Sequence, residues 1–440
     1  MARLRGGRVA TDEAPARARA TLPVPSAAVL SEAKDQPPRR WRTFASLRHR
    51  NYLLLWIGSL FSNTGDWMDQ VALNWLVWTL THNPVDLALL NASRALPILV
   101  FTLFGGALAD RVERRRLMQS TQSFAMVLAF VLAGLVYFGV VQLWQVYLIG
   151  ALRGIFLSVN QPTRQALISE LVPREDLMNA VALNSATLNM TRVVGGAIGG
   201  LLIGLVGVAG CFFLNGLSFV AVIGALALME IPPQPESQRQ ANIVRSVLAG
   251  LGYIRSEPAL AGLVLAGLVP MVFGMPYMSL LPIFADQVLR ISNEGYGFMV
   301  ALSGVGALAG SLSVASLGDF RRKGRLMLAV MTGFGVMLIA FSLSRWTPLS
   351  LALLLGVGCG STTYLAVNNT LLQTNATSEM RGRVMSVFFL NRGLVPLGTM
   401  FAGLLARYVG APLTVSIMGA VVVVLALVLT IRVPVLRELP

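Results

Sequence analysis

Gly105–Met118 reads GGALADRVERRRLM, and the fold follows from it. An apolar run stops at Asp110. The arginines Arg111, Arg114, Arg115 and Arg116 follow, and another apolar run begins at Leu117. A short basic turn between two long apolar runs belongs on one face of a membrane. Half a chain later the pattern returns. Gly318-Asp319-Phe320-Arg321-Arg322-Lys323-Gly324-Arg325-Leu326-Met327 aligns with Ala109–Met118, placing Asp319 on Asp110 and Arg325-Leu326-Met327 on Arg116-Leu117-Met118. The repetition points to two similar halves.

Composition agrees. Of 440 residues, 55% are hydrophobic and 12% charged, against about 25% charged in soluble domains. The mean hydropathy is +0.68. Apolar runs long enough to cross about 30 Å of hydrocarbon recur along the chain. They are continuous rather than alternating, so helices, not barrel strands, satisfy the backbone in lipid. The net charge of +15 could suggest nucleic acid, but its distribution argues for a lipid bilayer as the partner. The tail and alternate loops hold 28 of the 35 Lys and Arg residues, the opposite loops hold three (Arg290, Arg345, Arg407), and Arg94, Arg153, Arg192 and Arg392 lie within apolar segments. By the positive-inside rule both termini face the cytoplasm.

The apolar segments are 52–80, 87–109, 117–138, 144–163, 180–205 and 211–230, then 258–286, 294–317, 326–344, 348–374, 384–407 and 412–431. The expected fold is an all-α membrane protein with twelve transmembrane helices in two pseudo-symmetric six-helix bundles. Residues 1–50 form a disordered basic cytoplasmic tail, 51–230 the first bundle, 231–257 a cytoplasmic linker, 258–433 the second bundle and 434–440 a C-terminal tail. Two halves in parallel order imply a pseudo-two-fold axis along the membrane normal.

No catalytic constellation is visible. His49 and His82 are the only histidines, Cys211 and Cys359 read as small buried hydrophobes, and no metal cluster or disulfide framework emerges. No G-x-x-x-x-G-K-[ST] stretch occurs, so ATP is not the indicated energy source. The expectation is no enzyme activity and no cofactor.

The first segment carries the strongest functional signal. Ser59, Asn63, Asp66, Gln70 and Asn74 recur at three or four residues and form one polar stripe, with Asp69 close to the same face. A carboxylate at that depth costs about 2.5–3.5 kcal/mol on insertion scales, so it faces a cavity or a partner. Asp66 is the first candidate for proton coupling or cation binding and Asp69 the second; a structural salt bridge is the plain alternative. Arg153 shares a helical face with Asn160 and Arg164. Gly195, Gly196, Gly199 and Gly200 permit close helix contact. Pro270 and Pro276, with Gly274 between them, should kink the seventh segment into a gating hinge.

These residues resemble the major facilitator superfamily. Its hallmark loop G-x-x-x-D-R-x-x-R-R between helices 2 and 3 is matched by Gly106, Asp110, Arg111, Arg114 and Arg115, with an echo at Asp319 between helices 8 and 9. Leu171-Val-Pro-Arg-Glu-Asp-Leu177, Asn184, Gly195–Gly200 and Met380–Met385 resemble the bacterial exporter branch that includes enterobactin and macrolide exporters. The resemblance implies a monomeric inner-membrane exporter of small molecules, of drug or siderophore type. The proton gradient would drive it, by alternating access. It casts Asp110 as a cytoplasmic latch between the halves. Arg153 would assist proton transfer, with Asp66 or Asp69 as partner. Gly195–Gly200 would be the antiporter motif, although Gly196 stands where that motif has proline. A solute importer, or a non-transporting membrane sensor or scaffold, are the alternatives.

Overall fold

The computed structural model describes residues 39–109, 112–230, 251–316, 320, 322–377, 380, 384–385, 387–388 and 394–439. It divides into Met1–Thr43 and Phe44–Pro440. Of the first unit only residues 39–43 are described, as the start of a 3-10 stretch. Asp110, Arg111, Asp319, Arg392 and most of the 231–257 linker lie outside the described residues.

Among the described residues the second unit is all helical. Its elements are α1 (Arg50–Thr81), α2 (Pro84–Ala109), α3 (Arg114–Tyr137), α4 (Leu143–Leu171) and α5 (Arg174–Leu228), then α6 (Pro258–Val269), α7 (Tyr277–Ile283), α8 (Asn293–Ser316), α9 (Lys323–Leu343), α10 (Thr347–Asn375), α11 (Val395–Val409), α12 (Ala411–Arg432) and α13 (Val435–Glu438). Nine helices among the described residues are long and apolar enough to cross a membrane. α1 is not one of them, because its polar stripe dilutes its hydropathy. At 32 residues and about 1.5 Å per residue it is still long enough to cross.

Local chemistry sets the breaks. His82 takes a left-handed conformation and returns its N–H to the Trp78 carbonyl, ending α1, and Pro84 opens α2. Gln142 and Gln145 form a reciprocal cap at the start of α4. Gly207, at φ 73°, splits α5 into two arms, residues 174–206 and 208–228; a side chain there would be strained. The arms fold back on each other, bringing Cys211 against the Gly199 carbonyl. These arms correspond to the fifth and sixth apolar segments.

The seventh segment, Pro258–Val288, is interrupted twice. Wide π turns at Pro270–Gly274 and Phe284–Val288 replace regular helix. Pro276, which cannot donate a backbone hydrogen bond, follows the first. The expected irregularity at Pro270, Gly274 and Pro276 thus takes the form of a π turn rather than a simple bend.

Packing pairs α1 with α5, α2 with α4, α3 with α4 and α5, α8 with α10, and α9 with α10 and α12. Two further pairings, α5 with α8 and α2 with α11, join the first half of the sequence to the second. They lie where α2 and α8 begin, at the end remote from the basic turns. Gly403 of α11 sits against Pro84 and Ala88. Trp75 stacks on Tyr296 at 5.7 Å between ring centres, and Trp78 Nε1 donates to Asp286 at 2.9 Å.

The repeated glycines explain how α5 fits between two neighbours. Gly195 and Gly199 face α1, where an added methyl would meet Thr64, Trp67 and Met68. Gly196 and Gly200 face α8, where it would meet Val300 and Gly297. Glycines one turn apart therefore share a neighbour, adjacent glycines serve different ones, and both helices approach to backbone contact. Large apolar side chains such as Phe101, Phe124, Val131, Leu205 and Ile431 remain exposed on the outside, as a lipid-facing surface requires.

Candidate functional site

The polar stripe of α1 faces inward onto a cavity of about 640 Å³. α1 contributes Asn63, Asp66, Trp67, Gln70 and Asn74; α2 contributes Asn91 and Arg94; α4 contributes Arg153, Phe156, Asn160, Gln161 and Arg164. The opposite wall is largely apolar: Met271, Met275, Pro276 and Met278 from the seventh segment, Val300 from α8, and Val395 and Pro396 from α11. Pockets of about 300–1,000 Å³ hold drug-sized ligands.

At the centre lies one arginine between two carboxylates. Arg153 Nη2 reaches Asp66 Oδ1 at 3.0 Å, and Arg153 Nη1 donates to Asp69 Oδ2. The carboxylates differ in access. The Asp66 side chain is 31% exposed and lines the cavity, whereas that of Asp69 is 0% exposed and does not. Asp69 is held on its other oxygen by Asn215 Nδ2 at 3.1 Å. A buried ion pair survives only where its remaining lone pairs are satisfied. The geometry therefore makes Asp69 the buried partner of Arg153 and Asp66 the partner that faces the cavity.

Polar contacts continue on either side. Gln70, one turn further along α1 from Asp66, accepts from Arg94 Nη1. In the other direction Arg164 donates to Asn63 Oδ1 at 3.2 Å and to Ser59 Oγ at 3.0 Å. Asn160 donates to Thr121 at 3.2 Å. Arg192 lies 5.9 Å over the Trp67 ring, a cation–π contact. Of the residues expected at the site, Asp66 and Asp69 thus share Arg153, while Gln70 pairs with Arg94 and Asn63 with Arg164 on either side.

The cytoplasmic motif is partly described. Gly106 lies in the last turns of α2, while Asp110, Arg111 and Asp319 are outside the described residues. Arg114 pairs with Glu170 at the end of α4. Arg115 donates to the Ala227 carbonyl at the end of α5 at 2.6 Å. These two arginines tie together elements of the first half.

Asn215 was not singled out from the sequence. Its signal was an amide in an otherwise apolar run, 211–230, where such a group needs a partner. The pairing of Arg94 with Gln70 needed three dimensions, since the residues lie on different helices.

Comparison with known proteins gives a consistent picture. A family model described as transmembrane secretion effector matches residues 41–439. The chain is 26% identical to the staphyloferrin A transporter of Staphylococcus aureus, over 81% of this chain and 89% of that protein. It is 27% identical to the multidrug efflux pump Tap of Mycolicibacterium fortuitum, over 88% and 96%. It is 29% identical to the enterobactin exporter EntS of Shigella flexneri, over 69% and 72%. A bacterial homologue of the lysosomal transporter Spinster, solved in an inward-facing, occupied conformation, superposes with a TM-score of 0.69 at 13% identity, covering 88% of this chain and 97% of that one. A D-xylose–proton symporter superposes at 0.67 and 13%, covering 89% and 98%. At these identities the likeness is one of fold.

Proposed function

The chain belongs to the transmembrane secretion effector family of the major facilitator superfamily, and on that premise we propose that it is a proton-driven exporter of small molecules working by alternating access. The family is one of membrane transporters, not enzymes. Relatives named as exporters of a siderophore and of multiple drugs support the outward direction. The cavity of about 640 Å³ bounds the size of the cargo. We place the protein in the bacterial inner membrane as a monomer, with both termini in the cytoplasm. In this reading no nucleic acid and no cofactor takes part, and the proton gradient supplies the energy.

The observation that carries the coupling is the unequal exposure of Asp66 and Asp69 around Arg153. With the cavity open to the outside, a proton binds Asp66 and weakens its pair with Arg153, while Asp69 and Asn215 keep the guanidinium in place. With the cavity open to the cytoplasm, the proton leaves, the pair re-forms and substrate binds. Helix contacts remote from the basic turns close one end, consistent with a cavity that now faces the cytoplasm. The second half moves against the first, and the π turn at Pro270–Gly274 absorbs the backbone change.

The test is flux in proteoliposomes under an imposed pH gradient, using a drug and siderophore panel and a trapped pH-sensitive dye. Wild-type protein should couple substrate movement to proton movement. Asp66→Asn should retain substrate exchange down a concentration gradient and lose gradient-driven accumulation. Unaltered coupling in Asp66→Asn would reject this role.

A further inference from the structure

The cavity holds more positive charge than its own carboxylates neutralise. Arg94, Arg153 and Arg164 all line it, while Asp66 and Asp69 both bind Arg153. Among the described residues no carboxylate forms an ion pair with Arg94 or Arg164. Their side-chain partners are neutral: Gln70 for Arg94, and Asn63 and Ser59 for Arg164. Arg164 is 5% exposed, and its Nε and the neighbouring Asn63 Nδ2 are buried donors without an acceptor. A buried guanidinium with a donor to spare is costly unless something arrives to meet it.

The rest of the cavity specifies what arrives. Facing the arginine-bearing wall are the flexible thioethers of Met271, Met275 and Met278, which fit apolar groups of varied shape. An occupant that satisfies both walls carries an anionic group at one end and an apolar body at the other.

We infer that the cavity contains an anion subsite, formed by Arg164 with Asn63 and extended by Arg94, that selects amphipathic organic acids. The carboxylate docks on Arg164 and the apolar body lies on the methionine wall. The inference rests on the transport reading for its physiological use but makes a separate claim about charge selectivity. It also accounts for the arrangement of the three arginines. Arg153 is saturated by carboxylates of the chain and serves the proton site, whereas the arginines on either side of it along the stripe are left for cargo.

The test is binding to purified protein in nanodiscs, measured by calorimetry, with matched sets of naphthyl and biphenyl compounds bearing a carboxylate, a primary amide or an amine. The carboxylates should bind about tenfold or more tightly than the matched amides, and amines weakest, as a charge-assisted contact requires. Arg164→Gln should remove that preference by lowering carboxylate affinity alone; Arg164→Lys should keep part of it. Thermal unfolding in the same nanodiscs shows that the variants are folded, and Arg94→Gln, which should reduce the preference partially, provides a second variant. Equal affinity for carboxylates and amides, preference for amines, no binding by any carboxylate, or an Arg164→Gln protein with an unchanged preference overturns the subsite. Flux of the same compounds is read in parallel. Gradient-driven movement of amines alone would leave the export reading standing and reject the subsite. Selective carboxylate binding without gradient-driven flux would do the reverse.

Discussion

Gly200 and Gly297 meet backbone to backbone, so that a methyl group on either would overlap the Cα of the other. This contact joins α5 to α8 and so the first half of the chain to the second. Overpacking such a site costs about 1–3 kcal/mol, a shift of roughly 5- to 150-fold in a two-state equilibrium. Gly200→Ala or Gly297→Ala should therefore move the protein away from the conformation described above. Spin labels on the adjoining ends of α5 and α8 should report a longer distance in nanodiscs, and transport should fall while membrane insertion persists. An unchanged distance distribution in both variants would contradict a closing contact.

Trp78 and Asp286 strengthen the same end. The indole N–H meets the carboxylate at 2.9 Å. A hydrogen bond to a charged acceptor contributes about 1.5–3 kcal/mol. Trp78→Phe keeps the ring and removes the donor, so the same labels should shift in the same direction as for Gly200→Ala. Because the two contacts have no residue in common, the shifts in free energy should add.

Asp66 and Asp69 should respond differently to the same change. Asp69→Asn removes the buried anchor of Arg153 and leaves a buried cation short of a partner, a loss of about 3–5 kcal/mol. Its thermal stability in detergent should drop well below that of Asp66→Asn. Asp66 faces the cavity, and its variant should fold nearly as well as wild type while losing coupling. Similar melting temperatures for the two variants would count against separate roles.

Asn215 supplies the remaining contact to Asp69. Asn215→Ala should cost about 1–3 kcal/mol, the usual penalty for leaving a buried polar group unsatisfied. Asn215→Asp should be worse, because it adds a second anion beside the fully buried Asp69. Calorimetric melting in nanodiscs checks both. A neutral Asn215→Ala would show that Asp69 needs no support beyond Arg153.

Helix count aside, much of the fold was legible because lipid imposes a strong and local rule. A run of apolar residues must be helical to satisfy its own backbone, and the turns between runs announce themselves by charge, as at Arg114–Arg116. The candidate site was half legible for the same reason: Asp66 in an apolar helix costs free energy, so its presence marked the stripe before any coordinates. The irregular seventh segment was visible in Pro270 and Pro276, though not the width of its turn.

Other features depended on which helices become neighbours. Asp66 and Asp69 are three residues apart in sequence, and nothing in that spacing tells which one faces the cavity. The packing of α4 and α5 against α1 decided it, by burying Asp69 against Arg153 and Asn215 and leaving Asp66 at the wall. The glycines of α5 announced close contact, but only tertiary packing divided them, Gly195 and Gly199 toward α1 and Gly196 and Gly200 toward α8. Membrane residence and helix identity are properties of single segments, set by transfer of each run from water to lipid. Which carboxylate lines the cavity and which arginines pair with neutral side chains depend on pairwise distances between segments, and those exist only once the helices have packed.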